Sequence, residues 1–351
     1  MRVGIYALAK NEAGNVEAWE ASCREADCRV VTDTGSTDGT QQLLEQAGVM
    51  VAGGAPIPWR WDDAHNLSLY HLPAYVDVAV RLDMDEVLDP GWRDALEEAW
   101  TPATTKLRYP YQWSADLRFL SDRVHLRSGY RWQGATHEGL VRWNGEEVQT
   151  HSESFVIRHN REPGKVHKSD LTLLRQAVRE NPLDARMHWY LARELDYCDD
   201  PMAASAFESY LSMPGGSPHE RAYAFRALAK LQPERCKHRL LEAILASPHE
   251  PEPFLALAEL AYVEGDQAAV LHYARHAAAC DPRAMSHTSD PRAYGPRPHD
   301  LACVAAWRLQ LLPEAVAHAR EAFKRDPADQ RLAGNLSLLE KMNHEDGPKA
   351  A

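Results

Sequence analysis

Val76-Asp77-Val78-Ala79-Val80-Arg81-Leu82-Asp83-Met84-Asp85 decides how the N-terminal half of the chain is read. The run up to Leu82 is apolar enough for a strand covered on both faces, as in a parallel sheet flanked by helices. Two carboxylates follow at i and i+2. Inside a strand they would share one face of the sheet and be tied into its ladder. At the carboxyl end of a strand the chain turns, and open α/β sheets place their ligands there. Asp83 and Asp85 are therefore expected to converge on a hard divalent cation, which takes oxygen ligands.

Around this stretch the chain has two kinds of pattern. Residues 3–8, 29–32 and 49–51 read as strands, alternating with helical patterns at 15–26 and 37–47, and a helix at 90–100 follows the acidic pair. Such alternation predicts an α/β class with a Rossmann-like, mostly parallel sheet. Beyond about residue 165 the strand signals stop. The sequence becomes rich in Ala, Leu, Glu and Arg, broken at Asn181-Pro182, Met213-Pro214, Ser247-Pro248, Asp281-Pro282 and Asp326-Pro327. Paired helices are expected at 253–264 with 266–280, and at 299–310 with 313–324. These pairs resemble tetratricopeptide repeats, in which stacked helix pairs bury their apolar faces on their neighbours; a plain helical bundle is the alternative. The expected domains are 1–165, α/β, and 166–351, all-α, the latter a docking or homodimerising element.

Composition narrows the functional classes. The chain has 351 residues, 44% of them hydrophobic, and a formal net charge of −12. That charge argues against indiscriminate binding to nucleic acid or membrane surfaces. Met1-Arg2-Val3-Gly4-Ile5-Tyr6 reads as a first strand rather than a leader, and no window has the apolar length of a membrane span. Cys23, Cys28, Cys198, Cys236, Cys280 and Cys303 show no Cys-x-x-Cys spacing, so most are expected to be reduced core residues of a cytoplasmic protein.

Asp33 sits just past the second apolar run, in Asp33-Thr34-Gly35-Ser36-Thr37-Asp38-Gly39-Thr40. There it is placed either to accept hydrogen bonds from a nucleobase or ribose, or only to cap the turn that Gly35 permits. No Gly-x-Gly-x-x-Gly or Gly-x-x-x-x-Gly-Lys-Ser/Thr occurs, which removes the main support for dinucleotide and P-loop readings. Taken in order, Lys10-Asn11-Glu12, the Asp33–Thr40 segment and Asp83-Met84-Asp85-Glu86 resemble family 2 glycosyltransferases of GT-A fold, of the phage and bacterial type, over residues 1–160. The resemblance implies a UDP-sugar donor, a Mn2+ or Mg2+ ion and inversion at the anomeric carbon. It implies a donor site at Lys10, Asn11, Asp33 and Asp83, with Asp83 and Asp85 on the metal. Trp59-Arg60-Trp61-Asp62-Asp63-Ala64-His65-Asn66 is similar to the segment that adds Arg60, Asp63 and Asn66 to the donor site, with His65 where the family has Arg. A cation there would offset the charge developing on a departing diphosphate.

Inversion by direct displacement needs one base opposite the leaving group. Arg131-Trp132-Gln133-Gly134-Ala135-Thr136-His137-Glu138 resembles the aromatic-then-His-Glu element of the same family, which implies Glu138 as base and His137 as its orienting partner. His159, after the apolar run 155–157, is expected to return to the metal or to be a structural histidine. Residues 106–143 carry seven Lys or Arg against three carboxylates, interleaved with six Tyr or Trp. Trp113, Arg127 and Trp132 are accordingly expected on an acceptor side suited to stacking and phosphate contacts. A compact GT-A domain with a repeat tail is similar to transferases that modify hydroxymethylcytosine in phage DNA, the acceptor favoured by this basic segment. Peptide Cys or Ser/Thr, or a glycan or lipopolysaccharide, are the other acceptors; a non-catalytic repeat scaffold is the reading from another class.

Overall fold

The structure, a computed structural model, describes residues 1–160, 170–281 and 285–345. The expected boundary at 165/166, and Pro282 of the fourth break, lie outside the described residues. The chain divides into two compact units, Met1–Glu194 and Leu195–Ala351.

The first unit opens with β1 (Val3–Ala9), α1 (Val16–Ser22), β2 (Cys28–Asp33), α2 (Thr40–Gln46), β3 (Met50–Gly53), α3 (Trp61–His71) and β4 (Val78–Arg81). It continues with β5 (Glu86–Leu88), α4 (Trp92–Ala99), β6 (Lys106–Gln112), β7 (Arg118–Leu126), β8 (Tyr130–Gln133), β9 (Gly139–Arg142), β10 (Gln149–His151) and β11 (Ile157–His159). Then come α5 (Leu171–Glu180) and α6 (Ala185–Tyr197), of which residues up to Glu194 belong to this unit. The main sheet is ordered β3-β2-β1-β4-β7-β6-β11-β5, with β10 beside β6, and β8 pairs separately with β9. Five of the main sheet's eight pairings are parallel; β4–β7, β6–β7 and β5–β11 are antiparallel.

The period-2 alternation of β1 explains the layering. Val3, Ile5, Ala7 and Ala9 share one core with Trp19, Leu44, Val80 and Trp92, under α1, α2 and α4. Tyr6 points the other way, into a second core with Val30, Leu69, Leu72, Ala79 and Trp132. At Gly4 any Cβ would come within 2.9 Å of Leu72 and Val76, so only glycine lets the chain pack this closely. Register fixes the site. Ala9 pairs with Asp33, and Tyr6 with Arg81, so the carboxyl ends of β1, β2 and β4 open on one edge of the sheet.

The second unit contains α7 (Ala203–Ser212), α8 (Pro218–Leu231), α9 (Cys236–Ala246), α10 (Pro251–Glu264), α11 (Gln267–Ala279), α12 (Arg297–Arg308), α13 (Leu312–Arg325) and α14 (Gln330–Glu345). Its signals are local. Ser217 and Glu220 form a reciprocal capping box ahead of α8, and Asp266 caps α11 through Ala269 N–H at 3.0 Å. The shared core of α10 to α14 is alanine-rich, with Ala258, Ala274, Ala302, Ala305 and Ala319 allowing close approach between helices. Glu220, Glu252 and Asp300 lie buried in the first turns of α8, α10 and α12, where a carboxylate meets the positive end of the helix. Among the described residues no helix is long and apolar enough to cross a membrane. Cys23, Cys28 and Cys303 are core residues as expected; Cys236 and Cys280 are half-buried and Cys198 is exposed.

Candidate active site

A cavity of about 400 Å³ opens at the carboxyl edge of β1 and β4, walled by Glu12, Trp61, His65, Arg81, Asp83, Asp85, His137, Glu138 and Asp170 among others. All belong to the first unit.

At the end of β2, Asp33 is buried, and its Oδ1 accepts from Gly35 N–H (2.9 Å), Ser36 N–H (2.9 Å) and Gln41 Nε2 (2.7 Å). Burial works to raise its pKa, but the bonds from Ser36, Gln41 and Gly35 outweigh it and hold the carboxyl below its usual value. Oδ2 is buried with no hydrogen-bond partner, an acceptor a ligand N–H or O–H would satisfy. Asn11 adopts a left-handed conformation (φ 60°), and its Oδ1 accepts from Thr37 N–H at 2.8 Å, tying the β1 and β2 exits together. Lys10 is exposed at the end of β1.

Beyond β4, the Asp83 carboxylate is gripped by two guanidinium groups. Arg81 binds it through Nε and Nη2, both at 3.1 Å, and Arg123 Nη1 reaches Oδ2 at 3.0 Å. Burial pushes its pKa up, yet Arg81 and Arg123 together hold it well below the usual carboxylate range. Arg123 also binds Glu86 (2.7 Å), which accepts from Asp83 N–H (2.9 Å) and Tyr111 O–H (2.6 Å). Burial raises the Glu86 pKa against the pull of Arg123.

Glu138 is the other acid on this network. Its Oε1 accepts from Arg81 Nη1 at 2.8 Å and lies 3.3 Å from His65 Nε2; its side chain is 8% exposed. Burial raises its pKa despite Arg81. His65, 1% exposed, has its pKa driven far down by burial and by Arg81, so the imidazole is neutral. It lies between Trp61 and Trp132, with ring centroids 6.0 and 5.5 Å away. A buried acid of raised pKa beside a neutral histidine is the environment of a general base.

The cation reading divides the expected ligands. Asp83 has both oxygens on arginine, whereas Asp85 Oδ2 and His159 Nε2 face each other at 3.4 Å. Trp113 stacks on His159 (4.4 Å, 11°) and fixes its ring. No cluster of three or more His, Cys, Asp or Glu is poised for a metal among the described residues. One carboxylate and one imidazole fit Mn2+ better than Mg2+, with substrate phosphate and water completing the shell.

Other expected contacts have structural partners instead. Arg60 binds Asp62 (3.0 Å) and Glu180 (2.6 and 2.8 Å), and Asp62 accepts from Gly134 N–H (2.9 Å). The Asn66 amide bonds both the N–H and the C=O of Trp132, each at 2.9 Å. The start of α3 therefore anchors the loop carrying His137 and Glu138, and only Asp63 of this segment is largely exposed to solvent. Arg127 bonds the Leu72 carbonyl at 2.7 Å, next to Leu126, which pairs with Val78 at the amino end of β4. That is about 16 Å from Asp83 along the strand direction, so Arg127 stands at the wrong end of the sheet to meet an acceptor. Trp132 is buried beneath Arg81, 4.6 Å from the guanidinium, and donates to Tyr6 Oη at 2.9 Å; it presents no face to a substrate.

Three of the seven basic residues of the 106–143 segment have acidic partners, while Arg108 and Arg131 are exposed. Lys106 pairs with Asp122 at 2.7 Å, Arg123 with Asp83 and Glu86, and Arg118 approaches Glu153. Tyr109, Tyr111, Tyr130 and Trp132 are core; Trp113 and Trp143 are exposed.

Several site residues carried no signal in the sequence analysis. Tyr190 of α6 stacks on His137 (3.6 Å, 3°), Asp170 accepts from Thr136 Oγ1 (3.1 Å), and Glu180 holds Arg60. These contacts span 34 to 120 residues, beyond any local pattern. Arg81 was findable, since an arginine inside a buried strand demands acidic partners.

No protein-family model and no curated protein matches the chain. Among solved structures it is similar to TTC0263, a thermophilic TPR protein of Thermus thermophilus (17% identity, 49% of this chain and 89% of that one, TM-score 0.31). Another similar structure is glucosyl-3-phosphoglycerate synthase of Mycobacterium tuberculosis in complex with Mn2+, UDP-glucose and phosphoglyceric acid (20%, 31% and 44%, TM-score 0.28). A third is S. aureus TarS (12%, 77% and 55%, TM-score 0.36). The chain thus spans about half the length of the last two. All three TM-scores are below 0.5, so the functional reading rests on the chemistry of the site itself.

Proposed function

We propose that the unit Met1–Glu194 is a metal-dependent inverting glycosyltransferase that moves a hexose or N-acetylhexosamine from a UDP-sugar. The observation that carries this is Glu138, a buried carboxylate of raised pKa, in the same cavity wall as the Asp83–Asp85 turn. Asp33, with one oxygen left to satisfy, receives the uracil or ribose. Asp85 and His159 would hold Mn2+ or Mg2+, which when bound supplies Lewis-acid stabilisation of the leaving diphosphate. Glu138 takes the proton from the acceptor as its oxygen or sulfur bonds to the anomeric carbon and the bond to the diphosphate breaks. His65 stays neutral beside it, and Trp61 and Trp132 keep water from its far side.

For the acceptor, the five carboxylates among the described cavity residues, against one arginine, weigh against a polyanion. We therefore favour peptide Cys or Ser/Thr over hydroxymethylcytosine DNA. Incubation with mixed UDP-sugars and Mn2+, followed by mass spectrometry of a Cys/Ser peptide library and of hydroxymethylcytosine DNA, tests both levels. Mass gain on DNA alone, with activity falling steeply with salt as phosphate contacts require, would overturn the acceptor choice. No UDP binding with or without Mn2+ by calorimetry would overturn the transferase itself.

A further inference from the structure

Arg81 is the residue through which the two halves of the cavity touch. Its Nε and Nη2 hold Asp83 at 3.1 Å each, while Nη1 holds Glu138 at 2.8 Å, so one planar fork serves an acid two residues away and another 57 residues away. The guanidinium is only 12% exposed and lies 4.6 Å from the Trp132 ring, which fixes its plane. Its backbone pairs with Tyr6 of the central strand β1, so its position is set by the most deeply buried part of the sheet. Glu138 comes from a loop that enters at a strained turn, with His137 at φ 48°. A loop residue needs an external hold if its carboxylate is to keep one direction. His65, the other neighbour of Glu138 at 3.3 Å, lacks hydrogen-bond geometry to it. Arg123 grips Asp83 and Glu86 but makes no contact with Glu138 among the described bonds.

Accepting the transferase reading, we infer that Arg81 is a positioning residue: it aims the Glu138 carboxylate at the acceptor and fixes its distance from the Asp83–Asp85 turn that carries the donor. Arginine is required here because its fork makes three directed bonds at once, whereas the lysine ammonium is a point charge on a flexible stem. Lysine at this position keeps the charge and loses the aim.

The test uses the full chain with Mn2+, reading hydrolysis of UDP-glucose and UDP-N-acetylglucosamine, where water replaces the acceptor, and UDP affinity by calorimetry. Arg81→Lys is expected to lower kcat at least about tenfold with UDP affinity within threefold of the parent. In the Glu138→Gln background, Arg81→Lys should cost far less than it does in the parent, because its main effect on turnover runs through Glu138. If Arg81→Lys does not fold, Trp132→Leu loosens the same guanidinium while sparing both ion pairs, and is expected to cost several-fold in kcat with UDP affinity retained. Losses that multiply in the double variant, an unchanged kcat, or a loss confined to UDP affinity would each overturn the role of Arg81 and leave the transferase standing. A parent chain that neither binds UDP nor turns over either sugar nucleotide overturns the transferase reading and this role with it.

Discussion

Replacing Glu138 by Gln separates catalysis from stability at one atom. The amide keeps the shape and one acceptor for Arg81, so the cavity is not remodelled. A hydrogen bond between two charged groups is weakened, which costs about 1.5–3 kcal/mol. Against this, the pKa of Glu138 is raised by burial, which means folding works against its ionised form at neutral pH. The sign follows from linkage: a carboxyl whose folded pKa exceeds its unfolded value stabilises below the unfolded pKa and loses that contribution as pH rises through the folded one. At pH 7 the substitution therefore removes a charge the interior resists, and the two effects oppose each other. The expected net change is within about 1 kcal/mol, a Tm shift of no more than about 4 °C for a unit of this size. General-base catalysis contributes roughly 10²–10⁴-fold, about 2.7–5.5 kcal/mol of barrier, so turnover should collapse while the fold does not. In the parent, kcat/KM should rise with pH through a pKa above the usual carboxylate range, and this limb should vanish in Glu138→Gln. The assay is UDP-sugar turnover with Mn2+ across pH 4–9, alongside thermal denaturation. Turnover within tenfold of the parent, or a loss that merely tracks unfolding, would refute Glu138 as base.

Asp85→Ala and His159→Ala should each weaken Mn2+-dependent UDP binding at least about tenfold, because a site with two protein ligands cannot spare either; calorimetry with and without Mn2+ reads this. Asp33→Asn should weaken UDP binding by about tenfold or more, the loss of one charge-assisted acceptor, with the fold intact by circular dichroism. In the second unit, burial first and then Arg325 hold the His299 pKa down to about 4, and its Nδ1 lies 3.0 Å from His318 Nδ1. A histidine depressed on folding loses stability as pH falls below its unfolded value, so in urea denaturation His299→Gln should lose less stability between pH 7 and pH 5 than the parent. Trp19→Phe should destabilise the first unit by about 1–3 kcal/mol, since the indole N–H is bound to the Leu82 carbonyl (3.0 Å) and its loss leaves that buried acceptor unpaired.

The parallel core of the sheet was legible because its strands are short apolar runs bounded by turn residues. The strand expected to end at Leu82 runs Val78–Arg81, and the helix pairs of the second unit fall within a few residues of expectation. What sequence alone did not disclose was pairing. Trp59–Asn66 is expected at the donor because it resembles a segment of family 2 glycosyltransferases, yet Asp62 and Asn66 bond the backbone of Gly134 and Trp132. The aromatic and basic run from Lys106 onward reads as a surface, whereas in the sheet alternate residues turn inward and Arg123 finds its acids, Asp83 and Glu86, far along the chain. Period-2 patterning reveals which positions share a face; it does not reveal which face is covered.

The stack of Tyr190 on His137, with Glu180 on Arg60, has a practical and evolutionary edge. A fragment trimmed where the strand pattern fades would discard the ring that braces the loop of His137 and Glu138. A recombination point placed before Tyr190 should therefore yield folded sheets whose His137–Glu138 loop has lost its brace.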